Sequence, residues 1–199
     1  MSETFDKYLT VAEEKQLFKT VKQFQGIEAR RDYEWMLLLR QTGIRVGALA
    51  QLTVHDAQQA IFTKRLKLDA GIQKRGIEHD VPVNTKALSA LKNLLKIRRE
   101  QGHAECPDAP LIMSRINKGM SVRSFQARVQ HWCKQAGLTV NATPHWMRHT
   151  MAQRILARST AADPIGIVQS ALGHKSRSST GIYTKPTREA VSHAMELAS

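Results

Sequence analysis

The chain has 199 residues, 42% of them apolar, enough for one ample domain with a real core or for two small ones. No apolar run reaches the roughly 18 residues a membrane-spanning helix needs, and the opening MSETFDKYLT lacks the apolar stretch of a secretory signal. Lys and Arg number 30 against 17 Asp and Glu, a net charge of +13, which points to nucleic acid ahead of an anionic membrane.

Two cysteines, Cys106 and Cys133, cannot build a disulfide framework, and that suits a reducing cytoplasm. His103, Cys106, His131 and Cys133 do not read as a zinc site, because residues 131 and 133 face apart on a helix. The basic residues recur among periodic apolar positions, so the charge belongs to a folded body rather than a tail.

Thr10 followed by Glu13 is a capping box, and Val11, Leu17, Phe18, Val21 and Phe24 make a helix-period stripe closed by Gly26. Residues 28–41 form a second helix, too apolar for a wet surface, with Tyr33 and Trp35 as core residues and Gly43 as its stop. Arg45 follows at once, held beside a turn between core residues. A structural salt bridge and an anion grip are both open to it at this point. Residues 60–63, 67–68, 71–73 and 81–83 are β-prone pieces between turn residues, and they predict a small three-stranded antiparallel sheet. The cations Lys64, Arg65, Lys67, Lys74 and Arg75 read mostly as solvated turn charge.

Asn84 caps a helix with Leu88, Leu91, Leu94 and Leu95 inward and Lys92, Lys96, Arg98 and Arg99 outward. A loop, the apolar run 111–113 and the Asn117-Lys118-Gly119 turn come next. Ser121 then caps a helix carrying Phe125, Val129 and Trp132, stopped by Gly137. Pro144 suits the first position of the following helix, with Thr143 capping it. On that helix His145, Arg148 and His149 share a face, while Met147, Met151 and Ile155 make a buried stripe. A His and an Arg at a helix start, where free N–H groups and the dipole favour anions, form a plausible phosphate site; an ordinary surface, or a core histidine with its hydrogen bond satisfied, is the alternative. His149 reads as a buried histidine bracing the motif, and Trp146 suits either the core or a DNA face. Asp163-Pro164 opens another helix, stopped by Gly173, and His174 lies just beyond. A polar loop leads to Tyr183, and a last amphipathic helix starts near Thr187 with Val191, Met195 and Ala198 on its apolar side.

The residues Thr42-Gly43-Ile44-Arg45-Val46-Gly47-Ala48-Leu49, His145 to Thr150, and Leu172-Gly173-His174 followed nine residues later by Tyr183 resemble three signatures of the tyrosine recombinase, or phage-integrase, catalytic domain. The resemblance runs over about residues 10–197. It selects Lys74, eight residues before Pro82, as the counterpart of the family's hairpin lysine. Ala48 stands where the family usually has Glu. The resemblance implies an α+β, mainly helical fold, with residues 1–199 a single catalytic domain and the usual N-terminal core-binding domain absent. The chain is then either an excised fragment or one of the short family members.

The residue types fit strand transfer. Tyr183 offers a phenol that needs activation, since its free pKa is about 10. Arg45 and Arg148 suit bidentate grips on the non-bridging phosphate oxygens. His145 and His174 add hydrogen bonds, His145 can assist proton removal from the tyrosine, and Lys74 can protonate the departing 5′-oxygen. No metal and no cofactor are expected, because a cation cluster takes the place of a metal and no two-metal carboxylate group is recognisable. By the resemblance, the product is a 3′-phosphotyrosine and a free 5′-hydroxyl, the partner is double-stranded DNA, and the assembly is a tetramer on DNA with C-terminal helix exchange and a monomer possible without it. A cytoplasmic, nucleoid-associated site-specific recombinase is the reading. A type IB-like topoisomerase and a DNA-binding regulator on a recombinase scaffold are the alternatives, the second opposed by the intact Arg45, Arg148 and Tyr183.

Overall fold

A computed structural model describes residues 7–68, 79–104, 106–173, 180–181 and 188–198. The described helices are α1 (Val11–Gln23), α2 (Ile27–Thr42), α3 (Val46–Leu49), α4 (Val54–Thr63), α5 (Thr85–Glu100), α6 (Val122–Gln135), α7 (Pro144–Arg158), α8 (Pro164–Leu172) and α9 (Arg188–Leu197). Strands β1 (Arg65–Leu68) and β2 (His79–Pro82) pair antiparallel, in register from Arg65 with Pro82 to Leu68 with His79. None of the described helices is long and apolar enough to cross a membrane.

The capping signals act as their chemistry requires. Thr10 and Glu13 form both halves of the capping box on α1, and Asn84 and Ser121 accept the third-residue N–H groups of α5 and α6. Gly43 and Gly173 end α2 and α8 in the left-handed region. Thr143 stands at the N-cap of α7 but makes no side-chain cap bond. Gly26 belongs to the start of α2 rather than the end of α1, which closes at Phe24.

Of the expected three-stranded sheet, two strands lie among the described residues, and one of the β-prone pieces is helix instead. Residues 60–63 are the last turn of α4. Thr53 and Asp56 make a reciprocal capping box there, and Val54, Ala57 and Ala60 bury a helical stripe, so the helix consumes the first β-prone piece. The expected piece 71–73 lies outside the described residues.

α2 runs through the middle of the molecule, packed on α1, α5 and α7. Its Asp32 is fully buried and accepts from Arg31 and Trp35 at Oδ1 and from Arg128 and Trp132 at Oδ2. Donors from four side chains on one carboxylate tie α2 to α6, and buried charge is tolerable only with such pairing. Glu14 on α1 joins the other side, accepting from Arg40 of α2 and Arg154 of α7, each at 2.8 Å. Trp35, Phe125 and Met147 fill the core between them, and Trp146 packs against the same cluster. Arg98, expected to face outward, is buried, with Nη1 donating to the Pro110 carbonyl and Nη2 to that of Ala104. Its planar fork satisfies loop carbonyls that no helix or strand covers.

Candidate active site

The site is assembled where the ends of α2 and α8 meet the first turns of α7. Gly43 turns the chain at φ +62°, and a β-carbon there would come within 2.5 Å of Met151 Sδ and 2.9 Å of Leu172 Cδ2. Both the backbone and the close approach of α7 and α8 therefore demand glycine. Two residues later Arg45 sits at the N-cap of α3, half-buried, between the buried Ile44 and the partly buried Val46.

Arg148 reaches the same corner from α7. It is only 3% exposed, and its Nη1 donates to the Gly43 carbonyl while Nη2 donates to the Leu172 carbonyl at 2.6 Å. Those carbonyls lie at the C-terminal ends of α2 and α8, the negative ends of two helices, where a guanidinium is favoured.

His145, in the first turn of α7, meets His149 edge to face with ring centroids 4.5 Å apart. Its outer edge is open to solvent. Desolvation by the protein beneath the ring lowers its pKa, and Arg148, Arg45 and Lys7 lower it further. His145 is thus poised neutral, able to accept a proton beside fixed positive charge. His149 is buried, in agreement with its reading as a brace. Thr150 locks the helix, accepting from the Leu9 amide at 2.9 Å and donating to the Trp146 carbonyl at 2.8 Å.

Of the sequence-identified residues, Arg45, His145 and Arg148 are brought together from two separated stretches of chain. Lys74, His174 and Tyr183 lie outside the described residues. Two neighbours went unrecognised in the sequence. Lys7 adds charge at His145. His79, at the start of β2, feels both Arg148 and Arg45. Neither has a spacing or motif that distinguishes it from other surface residues.

The chain matches the Phage integrase family over residues 7–190. It is 35% identical over 156 residues to the tyrosine recombinase XerC of Shewanella amazonensis, covering 78% of this chain and 49% of that protein. It is 32% identical over 178 residues to XerC of Herpetosiphon aurantiacus, covering 89% and 55%. The chain thus spans about half the length of these curated relatives. Its fold superposes on the crystal structure of XerA recombinase with a TM-score of 0.74 at 25% identity, over 96% of this chain and 65% of that one. The Tn1549 transposon integrase, in complex with a circular intermediate DNA, gives 0.75 at 19% identity over 96% and 65%. With the family match covering nearly its whole length, the chain belongs to the phage integrase family.

Proposed function

We infer that this chain carries the strand-cleaving and rejoining chemistry of a site-specific DNA recombinase. The observation that supports this most is the convergence of Arg45, His145 and Arg148 at one corner, where both guanidinium groups act on the His145 ring. Arg45 and Arg148 neutralise charge on the non-bridging oxygens as phosphorus becomes five-coordinate. The Tyr183 hydroxyl attacks phosphorus and gives up its proton, for which His145 is a ready acceptor. The bond to the 5′-oxygen breaks, that oxygen takes a proton from Lys74, and His174 donates a hydrogen bond to the phosphoryl group. The phosphate remains on Tyr183 through its 3′-oxygen, and the bond energy is conserved for attack by another 5′-hydroxyl.

The partner is double-stranded DNA, reached largely through phosphates, since a chain of net charge +13 favours the backbone. Active assemblies are tetramers on two sites, with α9 passing to a neighbouring protomer, and the setting is the nucleoid in the cytoplasm.

A nicked suicide duplex tests the reading directly. Wild-type chain should form a covalent adduct that survives a denaturing gel, and Tyr183→Phe should bind DNA as well and form none. An adduct of unchanged intensity in the variant would remove Tyr183 from the role. A supercoiled plasmid run beside a two-site substrate separates recombination from relaxation by a lone protomer.

A further inference from the structure

His79 is not among the groups that the reaction uses, yet it joins two parts of the chain that must meet on one phosphate. It opens β2, and Leu68 with His79 is the last register pair before the connecting residues 69–78, among them Lys74. Its Nε2 lies 3.4 Å from the carbonyl oxygen of Ser170 in the last turn of α8. Its ring covers Gly173: a β-carbon on that glycine would stand 2.9 Å from Cδ2 and 3.0 Å from Cε1 and Cγ. Near-equal distances to three ring atoms mean that the glycine meets the face of the imidazole. Gly173 is the left-handed cap of α8, at φ +60°, and its N–H bonds the carbonyls of Gln169 and Ser170. The chain continues from it directly into His174 and, ten residues on, Tyr183.

The surroundings keep this imidazole neutral. Desolvation lowers its pKa most, the Ser170 carbonyl opposes, Arg148 and Arg45 lower it, and Asp80 raises it. A neutral ring facing a carbonyl carries its proton on Nε2.

We propose that His79 is a positioning residue: seated on Gly173 and bonded to Ser170, it fastens the strand that follows Lys74 to the helix end that leads into His174 and Tyr183, setting the acid in register with the nucleophile. The proposal rests on the roles given above to Lys74 and Tyr183. Strands of four residues each make a sheet with little rigidity of its own, and the Arg65–Asp80 pair that reinforces it is largely exposed. One long hydrogen bond adds little to global stability. Displacing a reacting group by about 1 Å, however, costs on the order of 10²-fold in rate. The contact therefore matters far more to placement than to folding.

Single-turnover cleavage by the full chain tests this on two suicide duplexes, one ordinary and one with sulfur replacing the bridging 5′-oxygen. A thiolate leaves without a proton, so the second substrate does not need the acid. His79→Ala should slow the ordinary substrate on the order of 10²-fold and the sulfur substrate only a few-fold, with half-site affinity unchanged and the same pattern in Lys74→Ala. His79→Gln, which keeps a donor for Ser170 but no ring, should fall between. The ratio of the two rates does not depend on the folded fraction, so it reads positioning even in a partly destabilised variant. Equal slowing on both substrates, or rates within about twofold of wild type on both, would overturn the proposal. If wild-type chain cleaves neither substrate, the functional reading fails instead. Hydrogen exchange then reads the clasp: His79→Ala should deprotect the amides of Val81 and Gly173 together, and unchanged protection would overturn it.

Discussion

Arg148 and Leu172 are joined by a 2.6 Å hydrogen bond from Nη2 to the last carbonyl of α8, across 24 residues of chain. The same guanidinium holds the carbonyl of Gly43 at the end of α2. A residue marked by its motif as a phosphate ligand is therefore also the fastener of two helix ends, and substituting it has two consequences.

Arg148→Lys keeps the charge but replaces a planar fork with a single point, so one carbonyl loses its donor. Urea denaturation should show a loss of about 1–3 kcal/mol. Adduct formation should fall far more than that destabilisation explains, measured under conditions where the variant is folded. Near-normal single-turnover cleavage in a destabilised variant would leave Arg148 with the structural role alone.

Asp32→Asn removes the charge that Arg31 and Arg128 share and leaves one acceptor oxygen for the N–H groups of four side chains. Breaking a buried ion network on one side costs about 3–5 kcal/mol. Denaturant midpoints should record that loss, while DNA cleavage at low temperature stays close to wild type, because Asp32 lies in the α2–α6 core. A change below about 1 kcal/mol would mean that the two tryptophans, rather than the charges, set the geometry.

His79, His131 and His145 all have pKa values lowered from the ordinary 6.5, in each case first by desolvation. The unfolded chain therefore binds protons before the folded one as pH falls. Their contribution to stability is fully present above about pH 6.5 and is lost as the pH drops through the lower folded values. Urea midpoints should fall between pH 7 and about 5, and His79→Gln with His145→Gln should flatten that slope. A slope unchanged in the double variant would assign it to the carboxylates.

Helix α9 leaves Val191, Met195 and Leu197 exposed at 46%, 69% and 76%. Ten residues with an uncovered apolar stripe are marginal alone, so removing everything after Pro186 should change monomer stability by no more than about 0.5 kcal/mol. Half-site binding should persist, while cooperative pairing on a full site should weaken in gel-shift titrations. Pairing as cooperative as in the intact chain would make α9 a local cover rather than a link between protomers.

Local chemistry made much of this protein legible in its sequence. The caps Thr10, Asn84, Ser121 and Asp163 and the stops Gly43 and Gly173 act through hydrogen bonds and φ values within a few residues of themselves, and so does the helical spacing of His145, Arg148 and His149. The motifs also identified Arg45 as a partner of that helix, though nothing local set the distance between them. Tertiary structure decided whatever depends on groups far apart in the chain. Residues 60–63 have β propensity, but burial of Val54, Ala57 and Ala60 made them helix. Arg98 looked like surface charge until loop carbonyls from Ala104 and Pro110 came within reach of it. Arg148 acquired two carbonyls, and His79 its seat on Gly173, only when α2, α8 and β2 closed on one corner. Periodicity and capping are written in neighbours along the chain, whereas desolvation, shared donors and the meeting of helix ends exist only once distant segments have packed.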